Sequence, residues 1–242
     1  MRQIALALQF MTRLPLPAVR ADEDDFAKSI RWFPLTGLVV GAAVAGPWWL
    51  GARAGADWPA ANWPAALVGV LGWVGMTGAL HLDGLGDIAD ASGAAHKDRA
   101  RLSAVLADPH IGSFGVVAIV LQILSKLVLL HALAPAQVWA LLLVPVLARI
   151  GPLAWTLALP PLHEGLGSRF RRAVTWPQVA GWSVLAAAAG LLVAPPLLVL
   201  FLAVPIWAGW LGSRIGGISG DGHGAGIELV ETALLAALVA LS

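Results

Sequence analysis

Three aspartates stand at a helical spacing within residues 81–90, His-Leu-Asp-Gly-Leu-Gly-Asp-Ile-Ala-Asp. Asp83, Asp87 and Asp90 follow one another at intervals of four and three residues, so on a helix they lie on one face. Like charges on one stripe repel, and that helix carries no Lys or Arg to neutralise them. Carboxylate oxygens are the ligands that Mg²⁺ takes, and the two intervening glycines leave room for a ligand to approach the backbone. The spacing predicts a divalent-cation site; the alternative is an ordinary solvated helix end.

Two further acidic motifs lie in other parts of the chain. Asp108 opens the segment Asp-Pro-His-Ile-Gly-Ser-Phe-Gly just before an apolar run, where it is either part of a site or the N-cap of the next helix. Asp221 lies in the glycine-rich stretch 216–226, which we expect to be a loop that opens onto a helix. Backbone amides there can bind phosphate and Asp221 can hold the accompanying metal; a flexible connection is the alternative. Each motif neighbours a histidine that is a candidate for catalysis or for a structural hydrogen bond: His81, His110 and His223.

Ionisable residues also interrupt the apolar runs. Arg149 lies near the middle of one run, where a bare charge costs several kcal/mol. It therefore needs a partner, which is either a substrate phosphate or one of the two glutamates, Glu228 and Glu231, near the start of the last run. Those glutamates are either functional or placed to suit the helix dipole. Lys126 is predicted to extend its amine to the membrane surface.

The composition indicates an integral membrane protein. Of 242 residues, 59% are hydrophobic and 12% charged, and the mean hydropathy is +0.81. Soluble domains carry about 25% charged residues, so this chain has too little charge to coat a water-exposed globule. Twelve Trp and no Tyr fit a chain with many membrane–water interfaces. The absence of Cys excludes disulfides and thiolate metal sites, and a net charge of +1 gives no support to nucleic-acid binding.

Apolar runs long enough to cross a bilayer predict an all-α, polytopic transmembrane bundle of about seven spans. The runs are Leu35–Ala52, Trp63–Leu82, Gly112–Leu133, Val138–Leu159, Gln178–Ala194, Leu197–Gly212 and Gly226–Ser242. Because no internal repeat is visible, we expect a single integral membrane domain over residues 1–242.

The charges predict the orientation of that bundle. With seven spans, the N-terminus shares one side with the connections 83–111, 160–177 and 213–225. That side holds every Lys and Arg of the chain except Arg53, Lys126 and Arg149. Positively charged connections stay in the cytoplasm. We therefore expect a cytoplasmic N-terminus and active-site loops at the cytoplasmic face.

The chain resembles the cobalamin synthases, the adenosylcobinamide-GDP ribazoletransferases, over nearly its whole length. The most specific matches are Thr-Gly-Ala-Leu-His-Leu-Asp-Gly-Leu-Gly-Asp-Ile-Ala-Asp at 77–90 and Gly-Asp-Gly-His-Gly-Ala-Gly-Ile-Glu-Leu at 220–229. Weaker matches occur in the expected order at 12–17, 33–37, 108–115, 148–149 and 164–167. The chain departs from the pattern at His110, where Arg is expected, and at 160–163, which lacks an Arg.

The resemblance implies a reaction and roles for the residues. Family members join adenosylcobinamide-GDP to α-ribazole, or its 5′-phosphate, and release GMP with the help of Mg²⁺. The metal ligands are then Asp83, Asp87, Asp108 and Asp221; the acceptor of the hydroxyl proton is Asp90 or His81; and the substrate contacts are Arg149, Gly220, Glu228 and Glu164. The expected location is the cytoplasmic (inner) membrane of a bacterium, where the lipid bilayer is the partner of the protein. Whether the protein also forms a homo-oligomer is left open.

Two other functions compete with this one. A CDP-alcohol phosphotransferase that makes phospholipid also uses an aspartate-rich helix, but its pattern carries an Arg that the residues after Asp87 lack. A transporter would use Arg149, Glu228 and Glu231 as an ion or substrate path. Transporters place binding groups at the midplane and show repeated halves, whereas here the acids cluster at one surface.

Overall fold

The computed structural model describes residues 1–54, 62–94, 102, 105–106, 108, 110–162 and 166–241. These residues form α-helices and no β-strand, which confirms the all-α class. The helices are α1 Arg2–Met11, α2 Glu23–Ser29, α3 Phe33–Ala54, α4 Asn62–Thr77, α5 Leu80–Ala94, α6 Ser113–Ala132, α7 Val138–Ala148, α8 Gly151–Ala158, α9 Leu166–Ala173, α10 Trp176–Leu192, α11 Leu200–Arg214 and α12 Gly220–Ala240. Short 3₁₀ turns lie at Ile30–Trp32, Pro135–Gln137 and Pro195–Val199.

Five helical segments in the described part of the chain are long and apolar enough to span a membrane. They are Glu23–Ala54, Ser113–Ala132, Pro135–Ala158, Pro195–Arg214 and Gly220–Ala240, and α4 with α5 makes a sixth if the two count as one bent span. The membrane class is thus supported, while the expected number of about seven is not confirmed. One predicted span forms α10, whose 17 residues reach about 26 Å, short of the roughly 30 Å of hydrocarbon.

A sharp bend separates α4 from α5. The two helices meet at 86°, and the residues between them, Gly78 and Ala79, both have positive φ. A side chain at Gly78 would be strained by the φ of +61° and would force the Arg13 side chain to move, because its Cβ would lie 2.0 Å from Nε of Arg13. The bend turns α5 away from the direction of α4. Since α5 reaches span length only together with α4, we treat it as lying outside the five spans.

Helix α12 is the centre of the bundle, in contact with α5, α6, α7, α8 and α11. It begins at Gly220, so the expectation of a loop over 216–226 is wrong for its second half. Ser219 explains the early start, because its hydroxyl accepts a hydrogen bond from the Gly222 amide (3.1 Å) as the N-cap. The first turn of α12 packs closely on α5: a Cβ at Gly84 would lie 2.8 Å from the Asp221 carbonyl oxygen. The space expected for a ligand at Gly84 is therefore filled by α12.

Candidate active site

The contact between α5 and α12 brings together carboxylates that lie far apart in the sequence. Asp83 and Asp87 are one turn apart on α5, and Asp221 lies in the first turn of α12. Burial, and then the negative charges of Asp221, Asp83 and Asp90, raise the pKa of Asp87 to about 6. The carboxylates of Asp83 and Asp87 have no hydrogen bond or ion pair with any residue that the structure describes. Asp83 and Asp87 thus lie one turn apart on α5, as their spacing predicts, and Asp221 approaches them from α12.

Asp90 has a different environment from the other two aspartates of α5. Its Oδ2 accepts a hydrogen bond from the Gly112 amide (2.7 Å) and its Oδ1 accepts one from the Gly115 amide (3.0 Å). Gly112 is the N-cap of α6 and has no side chain to satisfy these amides. Asp90 therefore supplies the cap from a neighbouring helix, and its role as the acceptor of the substrate proton stays a prediction that this geometry does not favour.

Asp108 has its partners in its own segment of the chain. Its side chain is exposed and accepts hydrogen bonds from the backbone and ring of His110, with Oδ1 3.0 Å from N and 2.8 Å from Nδ1. Those bonds, the backbone bond first, hold the pKa of Asp108 below its ordinary value. Asp108 is not among the carboxylates that act on Asp87. Nor is it the N-cap of α6, which is Gly112, so that interpretation is wrong. Glu164 lies outside the described residues.

A cavity of about 210 Å³ opens beside the carboxylates. Its polar wall comes from the start of α5 and the first turn of α12: His81, Asp83, Gly220, Asp221, His223 and Gly224. Its apolar wall includes three rings from α1, α3 and α9, namely Phe10, Phe33 and Phe170. Phe33 packs against both others, with ring centroids 5.8 and 5.7 Å apart. The cavity combines acidic groups with an apolar, aromatic surface.

The aromatic wall was not predicted from the sequence. The weak matches at 12–17 and 33–37 come near Phe10 and include Phe33, but no pattern in them indicates that the rings meet. A larger groove of about 620 Å³ lies between α5, α11 and α12. Its lining residues carry no ionisable side chain, so it offers nothing to a charged substrate. The smaller cavity is therefore the candidate site.

The ionisable residues of the spans pair with one another inside the protein. Arg149 donates to Glu231 (Nη1 to Oε1, 2.9 Å), and both side chains are completely buried. The amine of Lys126 lies 2.7 Å from Glu228 and 2.6 Å from Glu231, and 4.0 Å from the centre of the Trp73 ring. The glutamate partner considered for Arg149 is thus confirmed, and the prediction that Lys126 extends to the membrane surface is wrong. Two cations balance two anions in this network.

This network keeps two predicted substrate contacts away from the cavity. Arg149 and Glu228 are not among the residues that line it. Glu228 also accepts a hydrogen bond from the Gln122 amide (Nε2 to Oε2, 2.8 Å). The substrate contacts of both residues stay predictions, and the structure gives each of them partners within the protein. Gly220, in contrast, lies at the cavity, with open space where a Cβ would be.

The two histidines of the cavity each use one ring nitrogen within the protein. His81 Nδ1 lies 3.5 Å from Nη2 of Arg149, and His223 Nε2 lies 3.3 Å from the Thr156 hydroxyl. The other nitrogens, Nε2 of His81 and Nδ1 of His223, are buried without a partner in the described part of the chain. Burial, and then the positive charges of Arg149 and Lys126, hold the pKa of His81 well below its ordinary value.

No group of three or more His, Asp or Glu side chains in the described ranges converges closely enough to hold a metal ion by itself. Mg²⁺ is usually bound by one or two carboxylates together with water and substrate phosphates. Asp83, Asp87 and Asp221 supply hard oxygen donors of that kind, and the charges of Asp83 and Asp221 both act on Asp87. The donor chemistry therefore fits a magnesium ion that arrives with a phosphate-bearing substrate.

Comparison with known proteins gives the family. The family model of cobalamin-5-phosphate synthase matches residues 3–239. The adenosylcobinamide-GDP ribazoletransferase of Novosphingobium aromaticivorans is 60% identical over 97% of this chain and 95% of its own length. Proteins of the same name from Thiobacillus denitrificans and Chlorobaculum tepidum are 48% and 36% identical, each over 97% of this chain and 94% of its own length. No solved structure matches the chain. The chain belongs to the cobalamin-5-phosphate synthase family.

Proposed function

We propose that this protein transfers the adenosylcobinamide-phosphate group from adenosylcobinamide-GDP to α-ribazole or its 5′-phosphate. A ribose hydroxyl oxygen forms a bond to the phosphorus attached to cobinamide, the bond from that phosphorus to GMP breaks, and the hydroxyl proton is released. The observation that carries the proposal, beside the family, is the placement of Asp83 and Asp221 on a cavity with an aromatic wall. A substrate with phosphates and a flat base needs both surfaces.

Mg²⁺ is part of this proposal. Asp83, Asp87 and Asp221 would hold it against the diphosphate, and Asp108, which faces solvent beside His110, is the weakest of the predicted ligands. When bound, the metal neutralises phosphate charge in the transition state, which is the main requirement of phosphoryl transfer. Burial, and then the negative charges of Asp221, Asp83 and Asp90, raise the pKa of Asp87; a bound cation would offset both effects, which supports the assignment.

The remaining tasks fall to groups of the protein. The first turn of α12 directs its amides and the positive end of its dipole towards a phosphate beside Gly220. Phe10, Phe33 and Phe170 offer their rings to the flat base of the acceptor and exclude water. Asp90 is disfavoured as the acceptor of the hydroxyl proton, since both of its oxygens already accept amide hydrogen bonds.

The proposed location is the inner membrane of a bacterium, with the N-terminus in the cytoplasm. The five apolar spans support a multi-pass membrane protein, and the relatives are bacterial. The orientation is proposed for a chain of seven spans, in which the connections rich in Lys and Arg share a side with the N-terminus. A homo-oligomer is compatible with this arrangement.

The test is GMP release by the purified protein in detergent. Release that needs adenosylcobinamide-GDP, α-ribazole and Mg²⁺ together is the expected result. Asp221→Asn should abolish it, while Asp24→Asn, on the exposed side of α2 where Asp24 pairs with Lys28, should not. CMP release from a CDP-alcohol, with no GMP from adenosylcobinamide-GDP, would replace this proposal with a phospholipid-forming phosphotransferase.

A further inference from the structure

We propose that Arg149, held by Glu231, fixes His81 in the tautomer that carries its proton on Nε2, so that His81 donates a hydrogen bond to a phosphoryl oxygen in the cavity. His81 then binds substrate and does not take a proton from it. Arg149 and Glu231 are positioning residues, which act through His81. That the acceptor is a phosphoryl oxygen rests on the proposed function, whereas the assignment of the tautomer does not.

The first step concerns Arg149, which is completely buried and held at two points. Its Nη1 donates to Oε1 of Glu231 and to the Pro145 carbonyl oxygen, both at 2.9 Å. These bonds leave Nη2 at 3.5 Å from Nδ1 of His81. A guanidinium has only donors and does not lose its proton in proteins. Because Arg149 offers only donors, the partner that suits Nη2 at this contact is a lone pair on Nδ1.

The second step follows from the chemistry of imidazole. A neutral imidazole carries one N–H, so a lone pair on Nδ1 places the proton on Nε2. A doubly protonated ring would direct its Nδ1–H at the Nη2–H of Arg149, so that two donors would face each other. It would also place a second positive charge beside Arg149. His81 is thus a donor at Nε2 and has no basic nitrogen free to take the hydroxyl proton. This removes one of the two residues that the family resemblance suggested as the base.

The third step is the direction of that donor. Nε2 of His81 is buried and has no partner among the residues that the structure describes. Buried donors are nearly always satisfied in folded proteins. His81 lines the cavity together with Asp83, Gly220 and Asp221, next to the α12 N-terminus, where a phosphate is favoured. A phosphoryl oxygen is an acceptor of the required kind, and it would satisfy Nε2.

The buried ion network explains why the arrangement is rigid. Glu231 is shared between Arg149 and Lys126, and Lys126 is fixed in turn by Glu228. Arg149 therefore cannot turn away from His81 without leaving a buried charge unpaired, which is strongly unfavourable. The network joins α6, α7 and α12 to the first turn of α5. It contacts the His81 ring at Nδ1.

The direct test is the protonation of the ring nitrogens, read by NMR from protein labelled with ¹⁵N-histidine in detergent at neutral pH. A spectrum of His81→Gln identifies the His81 signals by their loss. We expect a protonated Nε2 and an unprotonated Nδ1. The opposite tautomer, or protons on both nitrogens, overturns the proposal. Arg149→Lys removes the Nη2 donor and should give a mixture of tautomers; a single unchanged tautomer would show that Arg149 is not the cause. This test needs no enzymatic activity.

Two substitutions of His81 separate the donor from a base. In His81→Gln the amide nitrogen occupies roughly the position of Nε2 and keeps a donor, whereas His81→Asn reaches only as far as Nδ1 and keeps the contact with Arg149. We expect kcat to stay within about 10-fold of wild type in His81→Gln and to fall about 10- to 100-fold further in His81→Asn, as for loss of a hydrogen bond to a charged group.

Equal losses in the two variants, or a larger loss in His81→Gln, would contradict donation from Nε2. His131→Gln is the matched control, because His131 stacks on Trp63 away from the cavity, and its kcat should equal that of wild type. If wild type releases no GMP, the proposed function fails, and the NMR result still decides the tautomer.

Discussion

Replacing Asp87 by Asn is expected to stabilise the metal-free protein at neutral pH. In the folded protein the pKa of Asp87 is raised from 3.8 to about 6 by burial and by Asp221, Asp83 and Asp90. Between these two values the folded protein holds a proton that the unfolded chain has released. Stability therefore falls as the pH rises through that window and stays low above about pH 6. Asn has no charge at any pH and removes this penalty.

The size of the effect follows from the pKa. At 1.36 kcal/mol for each pKa unit, a rise from 3.8 to about 6 corresponds to about 3 kcal/mol. Asp87 is only half-buried, so water screens the repulsion, and we expect about 1 kcal/mol of it to be realised. For a protein of this length, that raises Tm by about 2–4 °C. The gain should shrink as the pH is lowered from about 6 towards 3.8.

Melting followed by tryptophan fluorescence, in detergent with EDTA, measures this at pH 7.5 and pH 4.5. Asp108→Asn is the matched control, because the pKa of Asp108 is lowered by its hydrogen bonds to His110 and its loss should bring no gain. Added Mg²⁺ should raise the Tm of wild type more than that of Asp87→Asn. A lower Tm for Asp87→Asn at pH 7.5, or a gain independent of pH, would refute the idea that these carboxylates repel one another.

Three other substitutions test separate parts of the structure. Asp90→Ala should lower stability by about 1–2 kcal/mol through loss of the α6 cap; loss of turnover in Asp90→Asn with Tm unchanged would instead indicate a chemical role. Lys126→Met should cost about 3–5 kcal/mol and reduce the yield of folded protein, and adding Glu228→Gln should restore part of that yield if the charges are paired. Asp221→Asn should reduce GMP release about 100-fold or more, whereas unchanged release would remove Asp221 from the metal site.

The sequence predicts those features that depend on local spacing. The face shared by Asp83 and Asp87 follows from the period of a helix, and α5 forms where that period indicates one. The membrane class follows from apolar runs, most of which appear as helices with ends within a few residues of the prediction. Arg149 also behaves as physical chemistry requires, because a buried guanidinium needs a partner and it has one in Glu231.

Features that depend on the packing of distant segments were not predictable in the same way. The glycines of 216–226 indicate a loop, since each costs about 1 kcal/mol in a helix, yet α12 begins at Gly220. Close packing accounts for the difference: a Cβ at Gly226 would lie 2.4 Å from Nε1 of Trp207, and one at Gly224 would lie 3.3 Å from Cα of His81. The small residues allow α12 to approach its neighbours. The wall formed by α1, α3 and α9 arises in the same way from segments far apart in the chain.

The acidic residues of this protein fall into two groups, and only the fold distinguishes them. Glu228 and Glu231 lie deep in the bundle and are each matched by a cation within hydrogen-bonding distance, so their charge is cancelled before any ligand binds. Asp83 and Asp87 form no ion pair with the described residues, and burial, followed by the charges of Asp221, Asp83 and Asp90, raises the pKa of Asp87. The chain has 15 Lys and Arg residues and pairs two of them with Glu228 and Glu231 inside its spans. A shortage of basic residues therefore does not explain why Asp83 and Asp87 have no cationic partner in the part of the chain that the structure describes. The lack of a Lys or Arg partner for Asp83 and Asp87 is best explained by the ligand, which brings its own cation to these carboxylates.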